Sequence, residues 1–162
     1  MISLFCKGYI GVLMILALLL AATSCEKESV YDELEQHWRL EQFTLLAKSE
    51  VVCCNRIFFG ITHMVTEMAE KQVSDGYQDG EPLKGYGAYI ARTEYRNEGK
   101  VLVLRNFKVR AFTGDTKQDA TVEQLLPFGI NNPEVSAFKV IELSKGRLVL
   151  ESEYARLELK KF

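Results

Sequence analysis

A chain of 162 residues with 20 Lys and Arg against 22 Asp and Glu has a formal net charge of −2, and its basic residues are scattered rather than clustered. That balance excludes the basic stripe of a nucleic-acid-binding surface. The 48% hydrophobic share, with many aromatic and β-branched residues, likewise excludes a disordered chain.

In chain order, Lys7 precedes the apolar run Ile10 to Leu20, and the small residues Ala21, Ala22, Thr23 and Ser24 lead into Cys25. A positive n-region, an apolar core of roughly 7–15 residues and a small-residue cleavage site make a secretory signal. The run falls short of the roughly 20 apolar residues of a membrane span. Leu-Ala-Ala-Thr-Ser-Cys resembles the lipobox of bacterial lipoproteins. This resemblance implies a signal peptide over 1–24 and a Cys25 sulfur that carries diacylglycerol at the new N-terminus. The alternative is an ordinary signal or uncleaved anchor, with Cys25 incidental. Cleavage after Ser24 removes 24 of 162 residues, leaving 138, and takes Lys7, which shifts the net charge from −2 to −3. That length suits one domain.

Residues 26–36, EKESVYDELEQ, carry five acids and one lysine. The segment 25–36 therefore reads as a solvated tether with at most a helical turn at its end, ahead of a domain over 37–162. Acidic residues just after a lipidated cysteine also resemble the export signals of surface-displayed lipoproteins of Bacteroidota. The expected location is the outer membrane of a Gram-negative bacterium, facing the periplasm or the cell surface.

The domain itself is strand-like. Trp38, Leu40 and Phe43 to Leu46 begin a first strand, and Arg56 to Met68 alternates as one bent strand or as two broken near Gly60 or His63. Residues 74–87, rich in Gly, Asp and Pro, form a loop system. Tyr86 to Tyr95 and Val101 to Val109 flank Asn97-Glu98-Gly99 as a hairpin. One face of its first strand carries Tyr89, Ala91, Thr93 and Tyr95, an alternation of large and small that suits the inside of a small barrel. Residues 113–133 break the β pattern, with helical turns at 121–126 capped by Asp119 or Thr121 and stopped by Pro127 and Gly129. Three short strands close the chain at Val135 to Leu143, Arg147 to Glu151 and Tyr154 to Lys160. Their alternation is that of half-buried antiparallel strands. The fold class is all-β, an antiparallel barrel of about eight strands with at most one short helix.

Chemistry-bearing residues are few. There is no Gly-x-Ser-x-Gly, His-Glu-x-x-His or P-loop run. Cys53 and Cys54 are adjacent, so a strand points one inward and one outward. A bridge between them is strained, because bridged Cα atoms usually stand 4.4–6.8 Å apart and neighbours only about 3.8 Å. With His63 they make a soft-ligand set for Zn²⁺ at a spacing that is not a recognised one. Asp75-Gly76 and Asp79-Gly80 offer oxygens to Ca²⁺ without the periodicity of an EF-hand, and Asp-Gly is an ordinary turn pair. No cofactor or metal is expected.

Trp38 early on the first strand, Ile141-Glu-Leu-Ser144 before Leu148-Val-Leu150, and Leu157 to Phe162 resemble the small lipocalin-like lipoproteins of Bacteroidota, domains of unknown function. Lipocalins proper carry Gly-x-Trp on that strand, where this chain has Gln36. They also place a late Arg over the Trp, a part the resemblance gives to Arg156 as a cation–π partner. The fold so implied is a lipocalin-like β-barrel, with Phe59, Tyr89, Tyr95 and Phe107 as candidate lining for a small apolar ligand, and the few chemistry-bearing residues give no reason to expect an enzyme. The partners expected are the membrane through the N-terminal lipid and either that ligand or an envelope protein, with no nucleic acid. The function expected first is a binding module that holds a small apolar ligand in a hollow barrel; the alternative is a non-catalytic accessory protein with a filled barrel that binds a protein partner through its loops.

Overall fold

The computed structural model describes residues 30–70, 87–111 and 114–162. The leader, Cys25 and the two Asp-Gly pairs lie outside the described residues. A one-turn helix α1 (Val30–Leu34) precedes β1 (His37–Leu45), β2 (Glu50–Ile61), β3 (Val65–Glu70), β4 (Gly87–Arg96), β5 (Val101–Ala111) and β6 (Gly114–Asp119). A second one-turn helix α2 (Val122–Leu125) runs into a 3-10 turn (Leu126–Phe128), then β7 (Val135–Leu143), β8 (Arg147–Glu151) and β9 (Ala155–Lys161).

Eight strands close on themselves in the order β4-β3-β2-β1-β9-β8-β7-β5, with β5 returning to β4. All pairs are antiparallel. Closure pairs the edges that an open sheet would leave exposed. β6 is an added strand beside the last residues of β5, where sequence reading places only a break. Its residues, Gly-Asp-Thr-Lys-Gln-Asp, contain no apolar alternation, and it is held by main-chain pairing with β5 and by the Lys108–Asp119 ion pair.

Bulges keep apolar side chains aimed inward as the strands coil. Trp38 and Leu40 face the core, and after a register shift at Leu40/Gln42 it is Phe43 that does so. In β5, Leu102 and Leu104 face inward, then Asn106 at φ 56° turns the alternation over so that Phe107 also points in.

The two barrel ends differ. At one, α1 meets the β2–β3, β4–β5 and β7–β8 turns. α1 is part of the domain: Leu34 is fully buried in the core, and Ile61 N–H donates to the Gln36 carbonyl at 3.0 Å. Residues Val30–Leu34, expected within the tether, are thus a helical turn packed on the barrel. At the opposite end the segment 120–130 folds inward. Thr121 and Gln124 form a reciprocal capping box at α2, and Gly129 ends the 3-10 turn in the left-handed region at φ 72°. Leu125, Phe128 and Ile130 are buried as a result.

Candidate functional site

From the α1 end to the 120–130 segment, the interior is occupied by side chains in one continuous cluster, among them Trp38, Phe59, Leu104, Phe107, Phe128 and Phe138. The hollow interior expected for a ligand cup is not found among the described residues. Thr66 and Thr93 are a polar pair within this apolar space, and their hydroxyls bond each other at 2.8 Å. Each satisfies the other, as burial of a hydroxyl requires.

The four candidate lining residues divide between two places. Phe59 meets the edge of Phe128 with ring centroids 6.2 Å apart, and Tyr89 meets the same ring at 5.5 Å. Phe107 is fully buried in the core. Tyr95 lies six residues from Tyr89 along β4, about 20 Å at the rise of a strand, at the α1 end. There its ring packs on Tyr31 at 4.7 Å and its hydroxyl donates to the Thr62 carbonyl at 3.5 Å. Burial, and then the charge of Glu35, raise the Tyr95 phenol far above its ordinary range. Phe128 is the residue that sequence reading missed. Its signal was the apolar run Leu125-Leu126-Pro127-Phe128-Gly129-Ile130 inside an otherwise polar loop.

Around Phe128 the rim is half-buried and mostly apolar. Val52 and Cys54 of β2, Tyr89 of β4 and Tyr154 of the β8–β9 turn lean on the core. Burial raises both the Tyr89 phenol and the Cys54 thiol, with Glu70 adding to each. Cys53 and Cys54 are free thiols, Cys53 exposed and Cys54 half-buried against the core, as strand alternation dictates. His63 is at the opposite end of β2, beside Glu35 at 3.3 Å. The eight strand steps from Cys53 to Ile61, about 26 Å, separate it from Cys53, which rules out a shared metal site. No group of three His, Cys, Asp or Glu side chains among the described residues is placed to hold a metal ion.

At the α1 end an open cleft of about 420 Å³ runs between α1 (Asp32, Glu33, Gln36) and the strand ends carrying Ser144, Lys145 and Lys161, with Trp38 at its floor. The late-barrel arginine implied by the lipocalin resemblance is not at this Trp. Arg156 pairs with Thr44 at the far end of β1 and bonds Glu151 at 3.5 Å on the outer wall. Trp38 instead donates its indole N–H to the Leu34 carbonyl at 3.0 Å. No helix among the described residues is long and apolar enough to cross a membrane.

The model of a family described as a lipocalin-like domain matches residues 18–162 of the chain. No curated protein matches. Among solved structures, a lipocalin-like protein from Bacteroides uniformis ATCC 8492 superposes with a TM-score of 0.56 at 15% identity, covering 80% of this chain and 99% of that one. An uncharacterized protein from Bacteroides eggerthii DSM 20697 gives a TM-score of 0.55 at 13% identity, covering 78% of this chain and 98% of its own. At such identities the likeness is one of fold.

Proposed function

Because this chain belongs to the lipocalin-like domain family, we propose that it is a lipid-anchored, non-catalytic protein of the bacterial cell envelope that acts by contact, through the surface and loops of a filled barrel. The observation that carries this reading is the segment 120–130. Leu125, Phe128 and Ile130 fill the end of the barrel opposite α1 and join the continuous core. Binding pockets for small molecules are open cavities of roughly 300–1,000 Å³ with a few convergent polar groups. The polar pair inside this barrel, Thr66 and Thr93, spends its hydrogen bond internally. The lipobox-like Leu20 to Cys25 supports the anchor, and outer-membrane placement, periplasmic or surface-exposed, is part of the same proposal.

A second reading is favoured by one feature. Phe59 and Tyr89 both pack on Phe128, so a small apolar ligand that displaced the Phe128 ring would find an aromatic cup ready.

Native mass spectrometry of the full chain, gently solubilised from its host membrane, separates the two. A mass equal to the acylated polypeptide is the expected result. A small molecule that reproducibly accompanies the protein and departs on denaturation overturns the filled-barrel reading in favour of the second.

A further inference from the structure

We infer that the α1 end of the barrel lies against the lipid bilayer, with Met64, Val65 and Phe162 as its contact residues, an inference that rests on acylation of Cys25. The length of chain between anchor and fold sets the geometry. α1 begins at Val30 and is fixed to the barrel by buried Leu34, so only residues 26–29 stand between the lipid and the folded domain. Five Cα steps at 3.3–3.6 Å reach at most about 18 Å. Strands of 9 to 12 residues such as β1 and β2 place the opposite end a further ~25–30 Å away once barrel tilt is allowed for. A chain anchored so briefly keeps its α1 end beside the headgroups.

The exposed apolar side chains decide between lying on this end and standing clear of it. Met64 and Phe162, 72% and 70% exposed, are the most exposed large hydrophobic residues described, and both are at the α1 end. Val65 follows Met64 at the start of β3. The Phe162 backbone N–H donates to the His37 carbonyl at 2.9 Å, and its ring meets Phe58 edge-on at 4.9 Å, which carries the apolar strip onto the outer face of β2. Charges at this end largely offset one another, with Asp32 and Glu33 facing Lys145 and Lys161 across the cleft. The contact is accordingly apolar, and salt, which at 0.1 M screens charges more than roughly 10 Å apart, leaves it in place.

The test uses the acylated full chain reconstituted in vesicles of phosphatidylethanolamine and phosphatidylglycerol, with and without bromine on the acyl chains. Met64→Trp and Phe162→Trp report on the α1 end, and Val51→Trp, at an exposed position on β2 near the opposite end, is the reference. Buried Trp38 adds the same background to each. The expected result is loss of most of the added emission for Met64→Trp and Phe162→Trp, and no loss for Val51→Trp, at low and high salt alike. Unquenched emission from both α1-end variants in acylated protein overturns the inference and leaves that face to a protein partner. Quenching of Val51→Trp alone overturns it in favour of the reverse orientation. An intact mass without diacylglycerol overturns the anchor reading, and this inference with it.

Discussion

The indole N–H of Trp38 donates to the main-chain oxygen of Leu34 at 3.0 Å, with both residues fully buried. The first core side chain of β1 thereby satisfies the end of the helix that precedes it. An aromatic ring inside the barrel and a helical turn outside the sheet become one packed unit, which is why a one-turn helix, too short to be stable alone, is ordered here.

Trp38→Ala is expected to lower stability by about 3–5 kcal/mol, the cost of emptying a large core position. Trp38→Phe keeps most of the ring and removes one of two donors to the Leu34 carbonyl, which still accepts from the Gln36 N–H at 2.8 Å, so its cost is that of a single hydrogen bond, roughly 0.5–1.5 kcal/mol. Urea denaturation followed by far-ultraviolet circular dichroism ranks the two. An alanine loss below ~1 kcal/mol would mean that the indole does not fill the core.

The Thr66–Thr93 pair makes a sharper prediction. Thr66→Val or Thr93→Val alone strands one buried hydroxyl at a cost of roughly 1–3 kcal/mol, whereas the double variant removes both polar groups and is close to neutral. Additive losses in the double-mutant cycle would show that the hydroxyls are not coupled.

Gly129→Ala is expected to destabilise the 120–130 segment. The residue sits at φ 72°, and a Cβ there would collide with the Leu157 side chain inside the core. Left-handed backbone costs a non-glycine residue about 1–2 kcal/mol before any clash. Hydrogen exchange should quicken at Leu125 to Ile130 well before the α1 end responds. Uniform acceleration across the chain would contradict a locally seated plug.

Tyr95 predicts the alkaline behaviour. Burial and then Glu35 raise its phenol in the folded state, while in the unfolded chain it titrates near its ordinary value of about 10. A raised acid favours its protonated form in the fold, so this contribution is complete below pH about 10 and is lost as pH rises beyond it. Stability measured across that range should fall with pH, and Tyr95→Phe should flatten the fall. An unchanged slope in the variant would place the titration elsewhere.

Much of the barrel was legible because its strands bury one face. Leu148 and Leu150 against Arg147 and Glu151, or Leu157 and Leu159 against Arg156 and Glu158, leave one assignment of inside and outside. β6 was not legible because a strand of polar residues with no buried apolar face leaves no side-chain period. The bulges were half-legible: Leu40 to Phe43 and Leu104 to Phe107 are spaced by three, which a period of two cannot place on one face without an extra residue. The candidate lining failed to converge for a related reason. Tyr89 and Tyr95 do share a face of β4, but a shared face says nothing about depth along the barrel. Phe128 escaped because loops carry no periodicity by which to read an inward-pointing ring.

The pairing of β1 with β9, from Trp38 opposite Lys161 to Leu45 opposite Ala155, joins the first strand made to the last. Contacts so distant in sequence form slowly, since the loop they close must be gathered first. Until residues 155–161 have left the ribosome, β1 has no neighbour on that side and the barrel cannot shut. The ring therefore stays open through synthesis of β1 to β8, and the seven residues of β9 are the latch that closes it.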